Sequence, residues 1–134
     1  MSNNTIFYKN FYDSKYGVIE LKLKDFEIKK NKVFIKNKKF KENKCIIIFY
    51  APWCSHCRNM YDSIIELSLT NLNKFQIGAI NISDIKTKNY LISNALEIKS
   101  IPKACILKDK NELVLFDKQI NYDNLFYYIN MNLD

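Results

Sequence analysis

The longest uncharged apolar run in the chain is Cys45-Ile-Ile-Ile-Phe-Tyr50. A run of this kind, bounded by Lys44 and by Ala51-Pro52, predicts a strand buried on both faces. After Trp53 the period changes. Cys57, Met60, Tyr61, Ile64, Ile65, Leu69 and Leu72 fall on one broad helical face, with Asp62, Ser63 and Glu66 largely outside it. Phe75-Gln-Ile-Gly-Ala-Ile-Asn-Ile82 predicts a second buried strand. Strand, helix and strand make a βαβ unit, with parallel strands and a right-handed crossover.

The flanking segments extend this pattern. Residues 18–23 read as a short strand, and the alternating runs of 26–35 around a Lys-Lys-Asn-Lys turn read as a β-hairpin. Residues 37–43 fit a helical turn, and 86–96 a short helix. Lys103–Lys108 and Leu113–Phe116 predict an antiparallel pair joined by a short polar connection. Asn121 or Asp123 can cap a final helix that runs to about Met131. Residues 1–16 are polar with interleaved Phe7, Tyr8, Phe11, Tyr12 and Tyr16 and no clear period. They fit an arm packed on the domain or on a partner, or a disordered segment. The order β-α-β-α-β-β-α behind an N-terminal β-rich extension places the chain in the α/β class, with a central mixed β-sheet flanked by helices. No repeat or interdomain linker interrupts it.

Composition narrows the functional classes. A chain of 134 residues, 48% of them hydrophobic, suits one domain with a real core. The net charge of +7 is concentrated in residues 22–44, where ten lysines face Asp25, Glu27 and Glu42. Nearly every basic residue is Lys and only Arg58 is Arg, whereas phosphate readers favour the arginine fork. A solvated lysine-coated face is therefore expected rather than a nucleic-acid site, although such a hairpin could also meet an acidic partner or an anionic membrane. No run reaches the roughly 18–20 apolar residues of a membrane span. Residues 1–20 show no secretory pattern, and Asn132-Leu133-Asp134 is not an ER-retention signal of the usual kind. The expected location is cytoplasmic, or a viral particle if the chain is of viral origin. The oligomeric state is not encoded in any feature of the sequence.

The four cysteines are Cys45, Cys54, Cys57 and Cys105. Cys45 and Cys105 lie in apolar strands and read as core packing. Cys54-Ser55-His56-Cys57 is a C-x-x-C at a strand-to-helix junction. Free N–H groups and the positive end of the helix dipole stabilise an anion at the first cysteine. Cys54 is thus the candidate nucleophile, and Cys57, one turn on, the candidate resolving thiol. Cys54 attacks a substrate disulfide and Cys57 resolves the mixed disulfide; in reverse, a Cys54–Cys57 disulfide passes to a dithiol. A closed zinc site needs four ligands, and no second paired motif supplies them, so no metal is expected. No motif calls for another cofactor.

Phe49-Tyr-Ala-Pro-Trp-Cys-Ser-His-Cys57 resembles the active-site segment of the thioredoxin superfamily, in its protein disulfide isomerase type. Ser100-Ile101-Pro102 is similar to the family's cis-proline loop and is followed by a strand in the expected place. The resemblance covers about residues 45–131. It implies a thioredoxin fold over 1–134, with an aromatic arm (1–17), a lysine-rich β extension (18–44) and the core (45–131). It further implies that Trp53, Ile101 and Pro102 border the substrate, although an aromatic such as Trp53 also reads as core. His56, when protonated, favours the Cys54 thiolate and so the dithiol form; the other reading is a solvent-facing histidine without effect. A disulfide isomerase pair near about −180 mV, against about −270 mV for thioredoxin, would place this protein toward the oxidising end. The implied partners are protein substrates with thiols or disulfides, and a flavoprotein reductase or a flavin-linked sulfhydryl oxidase by analogy. Glutathione use ranks low, because the residues typical of glutaredoxins near the cis-proline are missing.

Several positions depart from the family. Its buried acid on the strand is Ile48 here, an accompanying lysine aligns with Ala79, and the helix-kinking proline is Asp62. Ser55 stands where Gly or Pro is usual, and no Gly occurs near 117–120. Proton transfer at Cys57 then needs water or another base. The competing reading is a thioredoxin-like adaptor that binds proteins and has only vestigial redox activity.

Overall fold

The computed structural model describes residues 11–83 and 85–133. Phe7 and Tyr8 of the expected arm lie outside the described residues. Seven strands form one mixed sheet: β1 (Val18–Glu20), β2 (Phe26–Lys29), β3 (Lys32–Ile35), β4 (Cys45–Tyr50), β5 (Gln76–Asn81), β6 (Lys103–Lys108) and β7 (Glu112–Leu115). Their spatial order is β1-β5-β4-β6-β7-β3-β2. β4 is parallel to β5, which is parallel to β1, and every other neighbouring pair is antiparallel. All six residues of β4 are buried, as its continuous apolar run requires.

Residues 18–44 thus contribute three strands to the central sheet. β1 takes one edge, and the β2–β3 hairpin docks on β7 at the other through Phe34 opposite Glu112. Lys30 and Asn31 close that hairpin, both at positive φ (49° and 67°), as a type I′ loop demands. Residues 37–43 do not form the expected helical turn. They make separate reverse turns, with Phe40 N–H donating to the Asn37 carbonyl at 3.2 Å and Lys44 N–H to that of Lys41 at 2.9 Å. The Phe40 ring is buried against Gly78 in the middle of β5. A Cβ at Gly78 would come within 2.6 Å of Phe40 Cε2, so only glycine leaves room for the ring.

Four helices follow: α1 (Ser55–Asn59), α2 (Tyr61–Thr70), α3 (Tyr90–Ala95) and α4 (Tyr122–Met131). Asn121 is the α4 cap, its side chain accepting from Asn124 N–H at 2.8 Å. The expected single helix after Cys57 is broken at Met60, whose N–H turns back to the Cys57 carbonyl at 3.2 Å. The break resets the phase. The buried face becomes Cys57, Met60, Ile64, Leu67, Ser68 and Asn71, while Leu69 and Leu72 are exposed. Asp62 starts α2 within its first turn, where a carboxylate suits the positive helix end.

The sheet carries a core on each face. One holds Ile46, Ile48, Tyr50, Ile77 and Ala79 under α1, α2 and α4, and includes Cys57. The other holds Ile47, Phe49, Ile80 and Leu107 with Ile92 of α3, and includes Cys45 and Cys105. Those two cysteines therefore face away from Cys57, and burial pushes both thiols up to about 12.

Candidate active site

β4 ends at Tyr50, and Ala51 and Pro52 are buried behind it. Cys54 N–H donates to the Ala51 carbonyl at 3.1 Å, a turn that lifts the chain off the sheet and into α1. Cys54 is the N-cap of α1. Its backbone is extended (φ −79°, ψ 115°), and its Sγ accepts from Cys57 N–H at 3.3 Å. Sulfur thus occupies the place where a serine or aspartate oxygen caps other helices, and the first free N–H of the helix points at it. Cys54 Sγ also lies 3.8 Å from the Ile101 carbonyl, to which its S–H donates.

Cys54 is part-exposed, while Cys57 is 2% exposed. Burial, and then the hydrogen bond with Cys54, push the Cys57 thiol up to about 12. Both thiols are free in this structure. One thiol is therefore open to a substrate and capped by a helix N–H, with a second, protonated thiol buried one turn behind it.

Ile101 and Pro102 are joined by a cis peptide bond and are part-buried beside Cys54. The structure thus brings Cys54, Cys57, Ile101 and Pro102 together. Trp53 is 54% exposed and belongs to the surface next to Cys54, not to the core. His56 is exposed on α1. Among the described residues, no group of three or more His, Cys, Asp or Glu is placed to hold a metal ion, and no helix is long and apolar enough to cross a membrane.

Sequence reasoning passed over Glu20. It follows Val18 by two positions on β1, so both point to the same face of the sheet. That face is the one carrying Cys57; counting by two from Val18 places Glu20 on the same face as Val18, but not under the tyrosines that close over it. Glu20 pairs with Ala79, which pairs with Ile48. The carboxylate therefore lies in the same row as Ala79 and Ile48. Tyr50 Oη–H and Tyr12 N–H (3.2 Å) both donate to Glu20 Oε2. Glu20 Oε1 is buried with no hydrogen-bond partner among the described residues. Burial pushes Glu20 up to about 7 against these two donors, which act to lower it.

The thioredoxin family model matches residues 24–131. A protein disulfide-isomerase of Datisca glomerata is 24% identical over 94 residues, covering 69% of this chain and 18% of that protein. A chloroplastic M-type thioredoxin of Triticum aestivum is 32% identical over 76 residues, covering 55% of this chain and 41% of that protein. The chain thus spans less than half the length of either relative. The solved structure of thioredoxin f from spinach chloroplast superposes with a TM-score of 0.62 at 18% identity, covering 87% of each chain, which shows a shared fold.

Proposed function

Because the chain belongs to the thioredoxin family, we propose that it exchanges disulfides with protein substrates through the Cys54/Cys57 dithiol. One observation carries this reading: part-exposed Cys54 caps α1 through the Cys57 N–H, with the Cys57 thiol buried directly behind it. In the reducing direction, the Cys54 thiolate attacks a substrate disulfide and one substrate sulfur leaves as thiolate. Cys57 then loses its proton and attacks the Cys54 sulfur. The second substrate thiolate leaves and a Cys54–Cys57 disulfide remains. The substrate has gained two electrons, and a dithiol reductant returns them to the protein.

Stabilisation of the thiolate comes from the Cys57 N–H and the positive end of α1. Trp53, Ile101 and Pro102 surround Cys54 and offer the surface on which an extended substrate lies. His56, exposed two residues along, adds positive charge near the pair when protonated and moves the couple toward the oxidising end. A flavoprotein reductase or a sulfhydryl oxidase is the class of redox partner this chemistry needs.

The test is reduction of insulin by dithiothreitol, catalysed by wild-type protein or by Cys54→Ser. The wild type accelerates the reaction and the variant does not. Equal rates would leave the vestigial adaptor reading in its place.

A further inference from the structure

Residues 37–44 carry Lys38, Lys39, Lys41 and Lys44 against one acid, Glu42. The segment is pinned along its length. Asn37 Oδ1 accepts from Lys39 N–H at 3.0 Å, the Phe40 ring is buried against Gly78, and Lys44 Nζ donates to the Asn132 carbonyl. A fifth lysine reaches the same place from the connection between α2 and β5. Asn73 turns the chain there at positive φ (67°), and Lys74 follows it. The Asn71 side-chain amide donates to the Leu67 carbonyl at 2.9 Å, and the N–H groups of Lys74 and Phe75 donate to the Asn71 carbonyl at 3.0 and 3.1 Å. Amide donors thus already meet the carbonyl end of α2, so the Lys74 ammonium does not serve as its cap.

Between these two segments lies an open groove of about 770 Å³, lined by Lys38, Lys39, Lys41, Lys44 and Lys74. Among the described residues no Asp or Glu lines it. Glu42 turns instead to Asp109. The ion pairs Lys15–Asp13 and Lys29–Glu27 do not involve these lysines. Five ammonium groups around one recess repel one another, and an anionic occupant relieves that repulsion.

The groove sits at a defined pole of the sheet. Gly17 and Lys44 directly precede the parallel strands β1 and β4, and Gln76 opens β5. Cys54 follows the opposite end of β4. Strand residues at about 3.3 Å each set the groove roughly 20 Å from the thiol pair. We propose that this groove docks an acidic segment of a partner protein, a run of Asp and Glu side chains, at the pole opposite Cys54. A partner held there leaves Cys54 open, and the docking does not depend on the exchange reaction.

Charge, shape and lining favour a peptide. The one arginine of the chain, Arg58, lies outside the groove, so no planar fork selects phosphate. Its aromatic residue, Phe75, is 6% exposed and offers no face on which a base could stack. An anionic bilayer is a plane that cannot follow a recess, and Leu72 (48% exposed) is the one large apolar side chain the groove presents to solvent, too little to enter a membrane. Within a groove the same leucine gives an acidic peptide a single apolar contact between its charges.

Fluorescence anisotropy of a labelled octaglutamate peptide, titrated with the reduced 134-residue protein at 50 mM salt, tests the proposal. Binding is expected, and it should weaken at least about tenfold on going to 200 mM salt, because exposed charges are screened. Two variants then separate the groove from net charge. Lys38→Gln/Lys39→Gln/Lys41→Gln/Lys74→Gln removes four exposed charges from the groove, and Lys22→Gln/Lys24→Gln/Lys29→Gln/Lys32→Gln removes four exposed charges outside it. The first should lose at least about tenfold in affinity and the second should stay within about threefold of wild type. Cys54→Ser should bind as the wild type does, so a failure of the exchange reading is distinguishable from a failure of this one. The proposal is overturned by absence of binding to the wild type, by equal losses in the two quadruple variants, or by tighter binding of a thymidine oligonucleotide of equal charge or of phosphatidylserine vesicles than of the peptide.

Discussion

A carboxylate whose proton affinity is raised by burial costs the fold stability whenever it is ionised, and Glu20 allows that cost to be worked out. Its value rises from 4.5 to about 7 in the native state. Each unit corresponds to about 1.36 kcal/mol, which gives about 3 kcal/mol. The raised value means that native Glu20 holds its proton where the unfolded chain has lost it. The cost is absent below pH 4.5, grows between 4.5 and about 7, and is complete above 7. Glu20→Gln removes the titration. The amide adds a donor where Oε1 has no described partner, a penalty of about 1–3 kcal/mol that does not vary with pH. The informative quantity is therefore the gap between variant and wild type as pH changes. Urea unfolding of reduced protein at pH values from 4 to 8 is expected to show Glu20→Gln gaining about 3 kcal/mol on the wild type between the two ends. Stability curves that stay parallel across this range would refute the claim that the carboxylate is buried at β1. A gap that widens toward low pH would refute its sign.

The four thiols should separate by reactivity under iodoacetamide at neutral pH: Cys54 modified first, Cys57 slowly, and Cys45 and Cys105, both fully buried, only in denaturant, as read by peptide mass mapping. Gly78→Ala forces a Cβ against the buried Phe40 ring and should cost about 1–3 kcal/mol in urea unfolding. Combining it with Phe40→Leu should recover part of that loss; simple additivity of the two costs would count against the contact.

The sequence carried most of what positions the site. β4 was legible because six consecutive apolar residues fit only a strand with a core on each side. The β2–β3 hairpin followed from its polar tip, the cap of α4 from Asn121, and the thiol pair from its spacing at a strand-to-helix junction. What escaped depended on contacts distant in sequence. Met60 looks like any helical core residue, yet the chain breaks there, and the reset phase exposes Leu69 and Leu72 while burying Leu67 and Ser68. Phe40 was hidden for a similar reason, since its pocket is the missing side chain of Gly78 on another strand. Glu20 was the costliest omission. An acid in a three-residue edge strand reads as solvent-facing until Tyr12 and Tyr50 are seen to close over it. The loss of an acid at Ile48 was visible along the chain, whereas an acid reaching the same face from two strands away was not.

In the proposed exchange Cys54 attacks and Cys57 resolves. Trapping tests it most directly: Cys57→Ser protein mixed with a disulfide-bonded protein substrate, quenched in acid and resolved by non-reducing electrophoresis with mass mapping. A stable mixed disulfide through Cys54 is expected, absent from wild type and from the Cys54→Ser/Cys57→Ser double variant. A trapped species linked through Cys45 or Cys105, or no adduct with a substrate that the wild type reduces, would contradict it.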